Sequence, residues 1–169
     1  QGGAATQMFD LRADEYEENR HFLLGQHFRR DYNKAMKDIP IVRSNIQILR
    51  LEVWVTNRIG ATTDARDIVA FMDLGENIPF NPNWVPTTND TLPHNQVNTL
   101  YQTILANPNA RNSTQAQSVL TGMGGMLPVQ DFEKTFARKL QPTDYYFHPQ
   151  VGFLSLNQPL QPDEVLGVA

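Results

Sequence analysis

The sequence predicts a mixed α+β fold, and the order of its hydrophobic patterns carries this prediction. The 169-residue chain opens with apolar residues at helical spacing, and the period then changes to the alternation typical of a strand. Further helical and extended patterns follow without the regular strand–helix alternation of a doubly wound sheet. We therefore expect a long N-terminal helix, an antiparallel strand pair, later short helices and C-terminal strands.

The composition suits one globular domain. Hydrophobic residues make up 40% of the chain and charged residues 19%, which is ordinary for a folded protein. We expect residues 1–13 to be a lead-in segment and residues 14–169 to form a single domain. The chain does not begin with Met and stops inside the apolar run at residues 165–169, so we interpret it as a piece of a larger polypeptide.

The long helix is predicted from Asp14 to Lys37. Asp14 is a suitable N-cap residue, and Pro40 follows the last turn, where helices usually end. Gly25 lies inside this segment at a cost in helix propensity, so it is expected to mark a close contact. The apolar residues at helical spacing are Tyr16, Leu24, Phe28, Tyr32 and Met36.

Two strands are predicted next. Residues 45–56 alternate between apolar and polar side chains, and the segment 67–72 is rich in strand-forming residues. The polar turn expected at residues 57–64 would join them as a hairpin. One face of the first strand is expected to be buried, and it consists of Leu49, Leu51, Val53 and Val55.

The second half of the chain is predicted to begin with an ordered loop rich in Asn and Pro, residues 77–93. Its large apolar side chains are expected to be buried, namely Ile78, Phe80, Trp84 and Val85. Helical spacing then predicts short helices over 97–105 and 113–120 and a third that carries Phe132, Phe136 and Leu140. Two short strands with turns are expected between Tyr145 and Ala169.

Charge and motif content argue against several functions. A net charge of −4 disfavours nucleic-acid binding, and the absence of cysteine excludes thiolate chemistry. Glu18 and His21 have the E-x-x-H spacing of di-iron bundles, but only one copy occurs, so we interpret them as a surface ion pair. The acidic residues around the second strand are interpreted as turn formers rather than calcium ligands. We therefore expect no enzyme activity and no cofactor.

Aromatic side chains offer a candidate contact surface. Trp54 falls on the polar face of its predicted strand, so either another element covers this face or the ring is exposed for contact. Ring faces of this kind could also stack on sugars, which leaves a carbohydrate- or cell-surface-binding module as the alternative function. The candidate contact residues are Trp54, Trp84, Tyr145 and Tyr146.

Four stretches together resemble one known family. These stretches are Tyr16–Phe22, Arg50–Arg58, Phe71–Glu76 and Tyr146–Asn157. In combination, they resemble the SprA/Sov family of Bacteroidetes, whose members are very large outer-membrane β-barrels. The family forms the translocon of type IX secretion and serves gliding motility in some species.

The resemblance implies a non-catalytic part of a protein-secretion translocon. It also implies an outer-membrane location for the parent protein, and contacts with the rest of that polypeptide, with accessory subunits and with exported cargo. The chain lacks the repeated segments of about ten alternating residues that build a barrel wall, so it is not expected to be a membrane barrel itself. We expect an extracytoplasmic cap, gating or partner-contact domain, with the extracellular side favoured over the periplasmic side.

Overall fold

The computed structural model describes residues 8, 10–56, 64–123 and 125–169. These residues form a mixed α+β structure with two antiparallel sheets and three α-helices. The strands are β1 (His21–Leu23), β2 (Val53–Thr56), β3 (Ala65–Phe71), β4 (Phe132–Lys139), β5 (Tyr145–His148), β6 (Phe153–Leu156) and β7 (Leu166–Val168). The helices are α1 (Gly25–Ala35), α2 (Leu100–Leu105) and α3 (Ala116–Gly122), with 3-10 turns at Ala13–Glu15 and Pro108–Arg111.

The larger sheet has four strands in the order β3-β4-β2-β7. One hydrophobic core lies against β3 and β4, and it buries Trp84, Leu100, Ala110, Ala116, Leu120, Met126 and Phe132. The helices α2 and α3 supply three of these seven residues, Leu100, Ala116 and Leu120, because their apolar stripes turn toward the sheet. The helices predicted over 97–105 and 113–120 correspond to α2 and α3, and each is shorter than predicted.

The smaller sheet has three strands in the order β1-β6-β5. A second core joins this sheet to β2, and it buries Val53, Val55, Leu140, Leu154 and Leu156. The C-terminal segment thus holds three strands rather than the predicted two.

The long N-terminal helix predicted from Asp14 to Lys37 is wrong. The helix α1 has 11 residues, Gly25–Ala35, and residues 21–23 form an edge strand that pairs with β6. Asn19 and Gly25 both have positive φ values, 54° and 73°, which a continuous right-handed helix does not allow. Strand pairing has therefore overridden the helical spacing at this end of the segment.

The predicted hairpin is also wrong. The strand β4 lies between β2 and β3 and pairs with both, so β2 and β3 do not pair with each other. The predicted strand over 45–56 is reduced to Val53–Thr56, and Leu49, which we expected on its buried face, is 90% exposed. Residues 57–63 of the predicted turn and most of the predicted lead-in segment fall outside the described residues.

The third predicted helix is a strand, β4. A spacing of four residues places side chains on one face of a helix, but it does the same in a strand, because four is a multiple of two. The pattern of Phe132, Phe136 and Leu140 therefore suits both structures. Pairing with a neighbour on each side decides the outcome in favour of the strand.

Candidate contact surface

A buried carboxylate organises the loop that follows β3. Asp73 is only 1% exposed, and its two side-chain oxygens accept hydrogen bonds from the backbone N–H groups of Phe80 (2.6 Å) and Asn81 (2.9 Å). Hydrogen bonds from N–H groups to an ionised carboxylate are among the stronger ones in proteins. Asp73 therefore fixes the backbone of this loop seven and eight residues ahead of itself.

Asn98 closes the same loop from its far end. Its side-chain N–H group donates to the carbonyl oxygens of Asp73 and Glu76, both at 2.8 Å, and its side-chain oxygen accepts from the N–H of Leu100 at 2.9 Å. All these groups are buried, so each bond also avoids the cost of an unpaired polar group. The amide ties the turn after β3 to the start of α2.

A second carboxylate, Asp131, links this loop to the segment before β4. One side-chain oxygen accepts from the amide of Asn81 at 2.9 Å, and the other accepts from the N–H of Leu127 at 2.7 Å. The backbone carbonyl of Asp131 also accepts from the N–H of Met72 at 2.9 Å. Two stretches distant in sequence, 72–81 and 127–131, are therefore held together, and we call them the clamped loops.

The clamped loops present large apolar side chains to solvent. Phe80 is 77% exposed and Val129 80%, although the backbone that carries both is held by buried polar groups. The exposed apolar residues of the clamped loops are Met72, Leu74, Ile78, Phe80, Leu127 and Val129. Exposed apolar groups that lie close together are typical of surfaces that bind another macromolecule, and the hydrogen bonds of Asp131 bring the two loops together.

The sequence prediction for this loop is correct only for Trp84. Its side chain is 5% exposed and belongs to the core beside β3 and β4, whereas Ile78, Phe80 and Val85 are exposed. The sequence predicts burial for all four. The misleading assumption was that large apolar residues in an ordered loop must be covered by the same domain.

The four aromatic residues predicted as a contact surface differ in burial. Trp84 is in the core, and its indole N–H has no hydrogen-bond partner within the described part of the chain. Trp54 is half-buried in the four-stranded sheet, with the Lys139 ammonium 5.9 Å from its ring centre. Tyr145 packs against the second core, and only Tyr146, at 60%, is strongly exposed.

A hydrogen-bonded chain of side chains crosses from the N-terminal segment to β6. The Nε2 atom of His21 lies 2.5 Å from a Glu17 oxygen, and its Nδ1 atom lies 2.9 Å from the Ser155 hydroxyl. His21 and Ser155 are cross-strand neighbours in the β1–β6 ladder, and the imidazole also stacks on Phe153. The hydrogen bond from His21, with the charge of Arg20, holds the pKa of Glu17 below its ordinary value of 4.5.

This chain of groups ties the edge strand β1 to its sheet. Arg20 adds a further link, because its guanidinium contacts Glu17 and donates to the Leu156 carbonyl at 2.8 Å. The partner of His21 is thus Glu17, four residues earlier, and not Glu18 as the E-x-x-H spacing predicted. The spacing in the sequence does not show which of these two glutamates contacts His21.

The acidic residues around β3 each contact a different partner within the domain. Asp67 is paired with Lys134 at 3.2 Å, while Asp73 and Glu76 accept backbone hydrogen bonds. Within the described ranges, no group of three or more His, Asp or Glu side chains is placed to hold a metal ion. None of the helices in these ranges is both long and apolar enough to span a bilayer.

No model of a known protein family and no curated protein sequence matches the chain significantly.

Proposed function

We propose that this chain is a non-catalytic contact domain of an outer-membrane translocon of the SprA/Sov type, which exports proteins by type IX secretion. The observation that carries the proposal is the set of exposed apolar side chains on the clamped loops. Binding to a pre-ordered surface costs less conformational entropy, because the surface itself does not have to become ordered. Such a surface is suited to the rest of the translocon polypeptide, to an accessory subunit or to exported cargo.

The stretches that carry the family resemblance support the same proposal, because they contain the residues on which the fold depends. Phe71–Glu76 includes the buried Asp73, and Tyr16–Phe22 includes the Glu17–His21 pair. Tyr146–Asn157 contains Gly152 and Ser155, which contact α1 and His21 respectively. If this chain and the family share a domain, we expect the resemblance to include the residues that determine its fold.

On this proposal, the domain is extracytoplasmic and lies on the extracellular side of the outer membrane, where it acts as a cap or gate. The parent β-barrel supplies its only link to the membrane. A contact surface made of Phe80 and its neighbours would then face the path of the exported protein or the subunits that close it.

Replacing Phe80 by Ser in the full-length protein is expected to reduce type IX secretion at an unchanged level of the translocon. The side chain is 77% exposed, so its loss removes contact area without opening a cavity in the domain. Secreted cargo is measured in the culture medium by quantitative immunoblotting.

The matched control is Leu105→Ser, which removes an exposed apolar side chain from α2 instead of from the clamped loops. Secretion is expected to stay at the wild-type level in this variant. Equal secretion by wild type, Phe80→Ser and the combined Ile78→Ser/Phe80→Ser variant would contradict the proposal.

A further inference from the structure

Two sheet edges lie beside the same groove. The strand β1 is the outer strand of the smaller sheet, and β7 is the outer strand of the larger sheet. A cavity of about 630 Å³ is lined by Phe22, Leu23 and Leu24 from the first edge and by Leu166 and Val168 from the second. A neighbouring cavity of about 450 Å³ shares Leu23 and Leu166 in its lining, so the two form one groove.

The hydrogen-bond register of β1 turns backbone groups toward this groove. The N–H of Leu24 donates to Gly152 (2.8 Å), and the carbonyl of Arg20 accepts from Leu156 (2.9 Å). In an antiparallel ladder, alternate residues face the partner strand, so residues 20, 22 and 24 face β6. The N–H and C=O of Leu23 therefore point away from β6, toward the outer edge.

The strand β7 has the corresponding arrangement. Ala169 and Glu52 exchange both backbone hydrogen bonds, at 2.9 and 2.7 Å, and Thr56 donates to the carbonyl of Val165 at 3.0 Å. Residues 165, 167 and 169 thus face β2. The backbone groups of Leu166 and Val168 point to the outer edge, which no other strand of the described chain covers.

The charges along the groove favour one kind of occupant. Its lining includes the carboxylates of Glu133 and Glu164, with the buried carboxylates of Glu76 and Asp131 behind them, and among the described residues Arg29 is the only cation. The groove is therefore acidic, while its edges offer backbone donors and acceptors, and its floor is apolar. An extended segment with alternating apolar residues and flanking Lys or Arg residues complements all three properties.

We propose that a basic, extended segment of another protein binds in this groove by adding a strand to the edge of β7 or β1. The backbone groups of Leu23, Leu166 and Val168 would supply its hydrogen bonds. Apolar side chains on one face of the added strand would pack on Phe22 and Leu24. This proposal does not depend on the assignment to a secretion translocon.

The test uses the acetylated and amidated heptapeptide Lys-Val-Thr-Val-Thr-Val-Lys, with the 169-residue chain in solution. We expect saturable binding by isothermal titration calorimetry. A peptide of the same sequence with N-methyl groups on the central valine and on both threonine backbone nitrogens has blocked donors along both of its edges. It is expected to bind about tenfold more weakly or not at all.

Proline substitutions at the two strand edges test the same hydrogen bonds from the protein's side. Val168→Pro and Leu23→Pro each remove an N–H that points into the groove and leave the ladders to β2 and β6 intact, a position at which strands tolerate proline. Each is expected to weaken peptide binding about tenfold with little change in the thermal midpoint. Glu133→Gln is expected to weaken binding and to reduce its salt dependence.

Three results would overturn the proposal. These are no binding of the heptapeptide at millimolar concentration, equal binding of the N-methylated peptide, and concentration-dependent dimerisation of the chain that Val168→Pro abolishes. The last would assign the edge to a second copy of this chain. The comparison of the two peptides needs only the wild-type protein, so it stands even if a proline variant fails to fold.

Discussion

Gly152→Ala is expected to lower the free energy of unfolding by about 3 kcal/mol, because backbone strain and a steric clash act at the same residue. Gly152 has a φ of +64°, a conformation that residues with a side chain rarely adopt, and a Cβ atom there would lie 2.2 Å from Cγ of Phe28. The ring would have to leave its place between α1 and the β5–β6 turn. Urea denaturation of wild type and variant measures the difference.

Two further variants separate the clash from the strain. Gly125 has a similar φ of +67°, and a Cβ atom there would meet nothing within 4 Å among the described residues. Gly125→Ala is therefore expected to cost only about 1 kcal/mol. In a Phe28→Ala background, Gly152→Ala should also fall to about this value. Equal costs for Gly152→Ala with and without the Phe28 ring would show that no clash exists.

Asp73→Ala is expected to destabilise the domain by about 3 kcal/mol, because it leaves two backbone N–H groups without their charged acceptor. The carboxylate is 1% exposed and bonds to Phe80 and Asn81. Loss of these bonds should also release the clamped loop locally. Hydrogen exchange at the Phe80 and Asn81 amides, read by NMR, is expected to accelerate more than exchange in β4.

The control for Asp73→Ala is Asp90→Ala. Asp90 also accepts a backbone hydrogen bond, from Leu92 at 2.9 Å, but it is exposed to solvent. Water can replace that bond, so a cost of about 0.5 kcal/mol is expected. If the two aspartates cost the same, the buried carboxylate does not organise the loop.

The sequence predicts elements best where local pattern and tertiary pairing agree. The run of strand-forming residues predicts β3, and the helical spacing predicts α2, and both elements lie against the core beside them. The predicted N-terminal helix is too long because its residues 21–23 pair with β6, about 130 residues later in the chain. The helix prediction for β4 fails for a related reason, since both of its neighbouring strands are distant in sequence and its four-residue spacing suits a helix and a strand alike.

The candidate contact surface could be predicted only in part. The Asn and Pro content of residues 77–93 indicated an ordered loop, but no local pattern shows that Asp73 and Asp131 would be buried and would clamp it. The clamp fixes the backbone N–H of Phe80, and the side chain that this residue carries is exposed. The signal available in the sequence was the turn-like Asp-Leu-Gly-Glu stretch directly before a loop rich in apolar residues.

Photo-crosslinking from position 80 in living cells tests the central claim most directly. The full-length protein carries p-benzoylphenylalanine in place of Phe80, and a second version carries it at Gln117, an exposed position on α3. We expect a crosslink from position 80 to a translocon subunit or to exported cargo, and none from position 117. Absence of any crosslink from position 80, or the same products from both positions, would contradict a contact role for the clamped loops.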